Sequence, residues 1–480
     1  MRRGASEPPA GRATHRLSPP LPPTGSTAAS GATASVAAVA GTEGLLALID
    51  ARGMATVPLP ELSDTTPPGV PEAVREIIAE VRRDGDAALR EMARRFDKAS
   101  LTDLAVSPAA CVGALEALAP AVRDALELAA GRIEEFHSTL REPTHVWSRD
   151  GVTVRSLQIP VDRAGLYVPG GRAAYPSTVL MTAIPAKVAG VASLALCVPP
   201  RPDGTVAPVT LAAAATAGVR EVYAVGGAGA VAALAYGTGT VPRVDLIAGP
   251  GNAYVAVAKQ EVAGVVGVPS AFAGPSEVVV VADASAPADL VAVDLVVQAE
   301  HGPDGMACLV TWDPAVAEAV GAEVSAITAA APRRTEIEAT LSSSGYAIVV
   351  EGPEQAAEVV NRIAPEHLQL MVAEPAELVP LVRHAGAIFC GHNAPASLGD
   401  YLAGPSHVLP TGRTARFGSA LGVADFCRKM HVISAGEEAL VRLGPAVETL
   451  ATAEGLPAHA ASVRRRLDRL EGADRGRTNP

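Results

Sequence analysis

From residue 165 onwards, short apolar runs alternate with alanine-rich stretches of helical character. Strands that are separated by helices are joined by right-handed crossovers, which place the strands parallel in one sheet. The pattern occurs in two blocks, with runs at 165–168, 193–198, 221–225, 245–248 and 277–282, then at 307–312, 346–351, 367–372 and 386–390. We therefore predict an α/β fold with two Rossmann-like parallel-sheet units, and we expect ligands at the carboxyl ends of the strands.

Helical segments are predicted on both sides of the α/β part. Apolar residues recur at helical spacing over 74–96 with a break at 84–86, and further helices are predicted at 108–140 and 417–467. Residues 1–42 are rich in Pro, Ala, Ser and Thr and contain one acidic residue, Glu7. Such a segment buries too little apolar surface to order itself, so we predict a disordered extension or leader. An organelle transit peptide is the alternative, which the prolines disfavour.

The composition excludes several classes of function. The formal net charge of -12 disfavours nucleic acid as a partner, because a duplex-binding surface normally carries a basic excess. Glycines interrupt the uncharged stretch 222–242, which favours a strand, turn and helix over a membrane span. The five cysteines form no Cys-x-x-Cys pair, so we predict small buried residues in a reducing compartment. The expected location is the cytoplasm, or the plastid if the leader is a transit peptide.

Glycine-rich turns follow several of the predicted strands, at 167–171, 226–229, 249–252 and 274–277. Gly227 and Gly229, with Ala232, match a dinucleotide fingerprint, in which glycines allow backbone amides to approach a pyrophosphate. One such match is weak in a chain with 45 glycines, and each turn alone is also explained as a tight turn. Four turns after strands together favour a crevice for a small molecule.

A helix predicted from Pro287 ends in a polar pair, Gln298 and His301. Residues three apart lie on one face of a helix, so this pair can present an amide oxygen and an imidazole nitrogen to one metal ion. A capping or surface arrangement is the alternative explanation of the spacing.

Three further clusters combine carboxylates and imidazoles. Glu366 and His367 are adjacent and can carry protons near neutral pH, although an exposed Glu beside a structural His is equally compatible with the sequence. The other two clusters contain Asp400 with His407, and Glu454 with His459. Zinc accepts mixed oxygen and nitrogen ligands, so Gln298, His301, Asp400 and His459 could form one site.

Long ordered motifs spread from residue 74 to 467 make the chain resemble the histidinol dehydrogenase family. The motifs are Gly165-Leu-Tyr-Val-Pro-Gly-Gly171, the run 175–190, Gly249-Pro-Gly-Asn-Ala-Tyr-Val255, Ala273-Gly-Pro-Ser-Glu277, Gln298-Ala-Glu-His301, Ala364-Pro-Glu-His367, Leu398-Gly-Asp-Tyr401, His407-Val-Leu-Pro-Thr-Gly412, and Ala453-Glu-Gly-Leu456 with His459. The resemblance implies oxidation of L-histidinol to L-histidine through the aldehyde, by two hydride transfers to NAD with one water.

The resemblance also implies a role for each matching residue. One zinc ion per subunit would be bound by Gln298, His301 and Asp400, with His459 supplied by the partner subunit of an intertwined homodimer. Glu366 and His367 would transfer protons, and the substrate would contact these two residues, the metal ligands, Ser276 and Glu454. NAD would contact Tyr167, Asn252 and the turn at Gly229. At position 229 the family usually has Gln, so an expected amide contact to the cofactor is missing.

The motifs and the resemblance together predict five parts of the chain. These are the leader at 1–42, an arm with the helical part of the first α/β domain at 43–168, a second α/β domain on the cofactor side at 169–276, the rest of the first domain with the metal and catalytic residues at 277–415, and a helical dimerisation tail at 416–480.

Two other functions are compatible with the fold. A paralogous zinc- and NAD-dependent dehydrogenase would act on another small alcohol, such as a sulfonated diol, but Glu454 and His459 suit an imidazole-bearing amino alcohol. A non-catalytic homologue is the third hypothesis. Loss of Glu366, His367 or a metal ligand would favour it, and all of these residues are present.

Overall fold

The computed structural model describes residues 44–59, 66–171, 173–269, 276–300 and 305–477. The predicted leader at 1–42 lies outside these residues. The helices are α1 (Val70–Asp84), α2 (Asp86–Met92), α3 (Pro108–Glu116), α4 (Pro120–Thr139), α5 (Pro176–Ala189), α6 (Pro208–Thr216), α7 (Gly227–Tyr236), α8 (Ala253–Val262), α9 (Ala288–Ala299), α10 (Pro314–Ala330), α11 (Arg334–Ser344), α12 (Pro353–Ile363), α13 (Pro375–Leu378), α14 (Ala396–Tyr401), α15 (Glu437–Ala453) and α16 (Pro457–Arg477). The strands are β1 (Ala47–Asp50), β2 (Ala105–Val106), β3 (His145–Arg149), β4 (Val152–Pro160), β5 (Arg163–Tyr167), β6 (Ser193–Val198), β7 (Glu221–Ala224), β8 (Leu246–Ala248), β9 (Glu277–Ala282), β10 (Met306–Thr311), β11 (Gly345–Val349), β12 (His367–Met371), β13 (Ala387–Cys390) and β14 (Cys427–Ala435).

One sheet has six parallel strands in the order β1-β11-β10-β9-β12-β13. Its central strand β9 is apolar on both faces. Val278 and Val280 pack into one core cluster, while Val279 and Val281 pack into another on the opposite face. Both faces are therefore covered, as expected for a parallel sheet built from crossovers. This sheet confirms the predicted runs at 277–282, 307–312, 346–351, 367–372 and 386–390 to within two residues at each end.

A second sheet has the order β2-β7-β6-β5-β8, in which only the short β2 is antiparallel to its neighbour. Strand β5 pairs with both β6 and β8, so the domain boundary predicted at residue 168 was wrong. The helices before β5 also pack on this sheet: Val74 of α1 lies in one core cluster with Val231 of α7, and Ile133 of α4 lies in another with Val179 of α5. Within the part predicted at 43–168, strand β1 does not lie in the five-stranded sheet: it pairs with β11 at the edge of the six-stranded sheet.

A three-stranded antiparallel sheet, β14-β4-β3, was not predicted. The tail expected to be helical from residue 416 contains β14, which pairs with β4 along nine residues. Its apolar side chains are largely exposed, with Ile433 at 70%. The strand is therefore held by its ladder of backbone hydrogen bonds, and it lacks the half-buried alternation by which strands are recognised in a sequence.

Smaller corrections concern helix ends and cysteines. The helix predicted at 108–140 is two helices, α3 and α4, because Pro120 starts a new first turn. Pro287 precedes α9 as its N-cap. Cys111, Cys197 and Cys308 are buried as predicted, but Cys390 is exposed and Cys427 is partly exposed. Among the described residues, no helix is both long and apolar enough to cross a membrane.

Candidate active site

A cavity of about 1980 Å³ lies where the two parallel sheets face each other. The five-stranded sheet contributes the carboxyl ends of its strands, including Tyr167 at the end of β5 and Val225 after β7. The six-stranded sheet contributes amino ends, with Glu277 at the start of β9 and His367 at the start of β12. The cavity therefore meets the carboxyl ends of the five-stranded sheet, where ligands are expected, but the amino ends of the six-stranded sheet.

The helices around the cavity follow the same polarity. The N-cap residues of α5, α6, α7 and α8 all line it: Tyr175, Ala207, Gly226 and Asn252. The six-stranded sheet instead contributes the carboxyl ends of α9 and α11. Helix amino ends favour anions and carboxyl ends favour cations, so the two walls differ in potential.

Glu366 and His367 are held at the buried start of β12. The backbone amide of Glu277 donates to Oε2 of Glu366 at 3.1 Å, and the carbonyl of Glu277 lies 3.3 Å from Nδ1 of His367. A proton on Nδ1 satisfies that carbonyl and leaves Nε2 to act as an acceptor. Nε2 lies 3.5 Å from Oδ1 of Asp400, which is long for a hydrogen bond. The pair is therefore oriented by the backbone of β9, while Nε2 has no hydrogen-bond partner among the described residues.

Electrostatics at this pair favour the protonated imidazole. Burial opposes a charged ring, but the carboxylates of Glu366 and Asp400 outweigh it and raise the pKa of His367 to about 10. Burial, together with the charge of Glu366, also raises the pKa of the Glu277 carboxyl to about 8. A carboxyl group with so high a pKa is neutral near pH 7, so Glu277 adds little negative charge beside the Glu366 carboxylate.

Asp400 on α14 is positioned by His407. Nδ1 of His407 lies 2.9 Å from the backbone carbonyl of Asp400, and Nε2 lies 3.0 Å from Oγ1 of Thr178. The carbonyl can only accept, so Nδ1 carries the proton and Nε2 accepts from the threonine hydroxyl. Burial lowers the pKa of His407, in agreement with a neutral ring. These hydrogen bonds join α14, which carries Asp400, to α5, which packs on the five-stranded sheet.

The residues predicted to bind metal are only partly brought together. Gln298 is buried on the last turn of α9, and its Nε2 atom has no hydrogen-bond partner among the described residues. Gln298 and Asp400 line the same cavity, whereas His301 lies outside the described residues. His459 and Glu454 are exposed on the tail and do not line it. Within the described part of the chain, no three His, Cys, Asp or Glu residues are grouped to hold a metal.

The predicted cofactor residues line the cavity along the five-stranded sheet. The hydroxyl of Tyr167 accepts a hydrogen bond of 3.1 Å from the amide of Gly227, and Oδ1 of Asn252 caps α8 by accepting from Val255. Gly229 lies in the first turn of α7, where a Cβ atom would meet the sulfur of Met92 at 2.9 Å. A larger residue at 229 would therefore have to displace Met92. Ser276 lies at the cavity wall before β9.

Two positioning residues were not singled out from the sequence. Apart from its place in a motif, nothing in the sequence indicates a role for Glu277, because it acts through its backbone amide and carbonyl. Thr178 supports His407 from 229 positions away in the sequence. Pairing of β9 with β12 brings Glu277 to the reactive pair, and packing between the two sheets brings Thr178 to His407.

Comparisons with known proteins agree with the motifs. A family model described as Histidinol dehydrogenase matches residues 62–467. The chain belongs to the histidinol dehydrogenase family. It is 50% identical over 402 residues to a histidinol dehydrogenase of Synechococcus sp., covering 83% of this chain and 92% of that protein. Identity to the Gluconobacter oxydans histidinol dehydrogenase is 48% over 403 residues, covering 83% and 93%.

The family fold is also seen in a solved structure. The crystal structure of histidinol dehydrogenase from Elizabethkingia anophelis superposes with a TM-score of 0.83 at 32% identity, covering 90% of this chain and all of that one. The arrangement of two sheets and helical extensions is therefore that of the family.

Proposed function

We propose that this chain catalyses the zinc-dependent, NAD-linked oxidation of L-histidinol to L-histidine through L-histidinal. The observation that supports it most is the placement of Glu366 and His367 in one cavity with Gln298 and Asp400, facing four helix amino ends. Membership of the histidinol dehydrogenase family agrees with this activity.

The zinc ligands in this proposal are Gln298, His301 and Asp400, with His459 from a second subunit. The amide oxygen of Gln298 and the carboxylate of Asp400 are oxygen donors that line one cavity and suit a metal ion, and the carboxyl end of α9 favours a cation. Bound zinc would hold the imidazole and amine of histidinol and so fix its alcohol carbon. A cation at Asp400 would also remove one of the charges that raise the pKa of His367, which favours the neutral ring that a base requires.

The proton steps are assigned to the two buried residues. Nε2 of His367 accepts the hydroxyl proton of histidinol as the first hydride leaves for NAD. The carboxylate of Glu366, held by the amide of Glu277, then removes a proton from water that adds to the aldehyde. The hydrated aldehyde has a second hydride to give, and its loss to another NAD yields the carboxylate of histidine.

The cofactor side is assigned to the wall formed by α5 to α8. The glycine turns expose backbone there, and the helix amino ends suit the pyrophosphate of NAD. Tyr167, Asn252 and the turn at Gly229 are the proposed contacts, while Ser276 and the partner's Glu454 are assigned to the substrate. Gly229 offers no side chain, so the backbone of the turn replaces the amide found in the family.

The assay that tests this function measures NADH formed per L-histidinol consumed, with zinc-loaded protein and excess NAD. Two NADH per substrate are expected, and treatment with a chelator should abolish turnover because substrate orientation is lost. A chelated sample restored by zinc controls for unfolding. No NADH from histidinol with zinc still bound would instead favour the paralogue that oxidises another small alcohol.

The tail is proposed to complete the site of a second copy. Glu454 and His459 are exposed and do not line the cavity of their own chain, and the tail carries exposed apolar residues such as Ile433 at 70% and Leu450 at 65%. Exposed apolar surface of this kind suits an intertwined homodimer.

Mixing two inactive variants, Gln298→Ala and His459→Ala, tests this arrangement. A hybrid dimer would contain one intact site and one site lacking both residues, so random exchange should restore about a quarter of wild-type activity. Each variant refolded alone serves as the control. Absence of recovery, with hybrid dimers demonstrated by differential tagging, would place His459 in its own subunit's site or in none.

A further inference from the structure

Asp97 lies on the cofactor wall of the cavity but has no role in the function proposed above. It ends a π-helical turn, Ala93–Asp97, which follows α2. Short π-helical segments are rare and frequently occur at functional sites. Asp97 lines the cavity near Tyr167, whose hydroxyl meets the amide of Gly227 at the start of α7. The carboxylate therefore faces the same space as the fingerprint turn.

The Asp97 carboxylate has no hydrogen-bond or ion-pair partner within the described ranges, although it is partly buried. Burial raises its pKa to about 6. Its charge is also felt by Tyr167, where burial, together with the Asp97 carboxylate, raises the pKa of the hydroxyl. A desolvated carboxylate without a partner lowers stability unless a ligand supplies donors. Such a residue in a cavity is a candidate for ligand contact.

The orientation of a dinucleotide follows from the position of the reactive residues. The nicotinamide must be close to the substrate carbon, and so to His367 and Asp400. The adenosine half then extends along the other wall, past the helix amino ends. There the cavity is lined by the turn at Gly227, by Asp97 and by two acidic residues of α1, Glu76 and Glu80.

We propose that Asp97 accepts hydrogen bonds from the ribose hydroxyls of the adenosine half and selects NAD over NADP. An acidic residue beside a glycine turn has this role in many dinucleotide sites, where it binds the 2′-hydroxyl and repels a 2′-phosphate. Here the acid comes from a helical segment before the sheet. The nearby Arg95 does not provide the opposite preference, because it is exposed and its guanidinium lies over the ring of Phe96, at 4.7 Å. This inference rests on NAD being the cofactor.

Binding measurements on zinc-loaded protein without substrate test the proposal. Calorimetry would give Kd values for NAD, 2′-deoxy-NAD and NADP with wild type and with Asp97→Asn. Wild type should bind NAD about tenfold or more tightly than 2′-deoxy-NAD, because a hydrogen bond to a charged group is lost. In Asp97→Asn this ratio should fall to about threefold or less, and NADP should bind more tightly than to wild type. A merely structural role would weaken all three ligands alike.

Asp103→Asn is the matched control, since Asp103 is an exposed aspartate that does not line the cavity. It should leave the ratio of NAD to 2′-deoxy-NAD unchanged. An Asp97→Asn variant that binds NAD with the wild-type ratio would overturn the role of Asp97 while leaving NAD as the cofactor. A wild-type protein that binds none of the three dinucleotides would overturn both this inference and the proposed cofactor.

Discussion

Replacing Gly249 by alanine is expected to lower the free energy of unfolding by about 4 kcal/mol or more, among the largest losses that a single methyl group can cause. Gly249 follows β8 with a φ of 113°, a region that L-residues rarely adopt. Its Cβ atom would also overlap the backbone carbonyl of Tyr167. That carbonyl cannot move aside easily, because β5 is paired with β6 on one side and β8 on the other.

The turn at Gly249 is also stabilised by the buried side chain of Lys259. Nζ of Lys259 donates to the carbonyl of Gly249, and this lysine is completely buried. Burial lowers the pKa of Lys259 to about 8. A displaced Gly249 carbonyl would disturb this bond, which adds to the cost.

Urea unfolding of Gly249→Ala and Gly264→Ala measures the contribution of the overlap. Gly264 also has a positive φ, of 94°, but a Cβ atom there would meet nothing within 4 Å. Its replacement should cost only about 1 kcal/mol, the price of backbone strain. Similar losses for the two variants would show that strain, and not contact with Tyr167, limits position 249.

Glu366→Gln is expected to leave the first oxidation comparatively fast and to slow the second by roughly 10²-fold or more, because no carboxylate then activates water. The amide oxygen of Gln can still accept from the amide of Glu277, so the local structure should persist. His367→Gln, in contrast, should slow the first oxidation directly, since the acceptor for the hydroxyl proton is lost.

Single-turnover experiments starting from L-histidinol and from L-histidinal separate the two oxidations. For Glu366→Gln we expect one rapid NADH followed by a slow second one from histidinol, and slow reaction from histidinal. Glu374→Gln, on the exposed surface after β12, controls for the loss of a carboxylate as such. Equal slowing of both oxidations by Glu366→Gln would contradict the assignment of Glu366 to water activation.

The strands of the two parallel sheets were predictable because their side chains are buried on both faces. The strands at 193–198 and 277–282 each begin with one polar residue and are otherwise apolar without interruption, and both were placed correctly. Strand β14 was missed for the opposite reason: residues such as Ile433 are exposed, and backbone pairing with β4 fixes the strand. The boundary at 168 failed because sheet membership depends on which strand pairs with β5, a long-range choice that local periodicity does not encode.

Individual site residues could be predicted from the sequence, but the contacts that orient them could not. Glu366, His367 and Asp400 were chosen from sequence, and the structure places them in one cavity, although their roles stay predictions. The contacts that orient them come from the backbone of Glu277 and from the pair of His407 and Thr178. The first contact depends on the pairing of β9 with β12, and the second depends on how the two sheets approach each other, so no spacing in the chain indicates either.

The two sheets present opposite helix ends to the cavity, and this difference affects where each ligand is attracted. Four helices point their amino ends into it from one wall, and α9 and α11 point their carboxyl ends into it from the other. The dianionic pyrophosphate of a dinucleotide and a metal cation should then be drawn to separate walls by the peptide dipoles. The chain path itself therefore contributes to their mutual arrangement, in addition to the side chains that hold each of them.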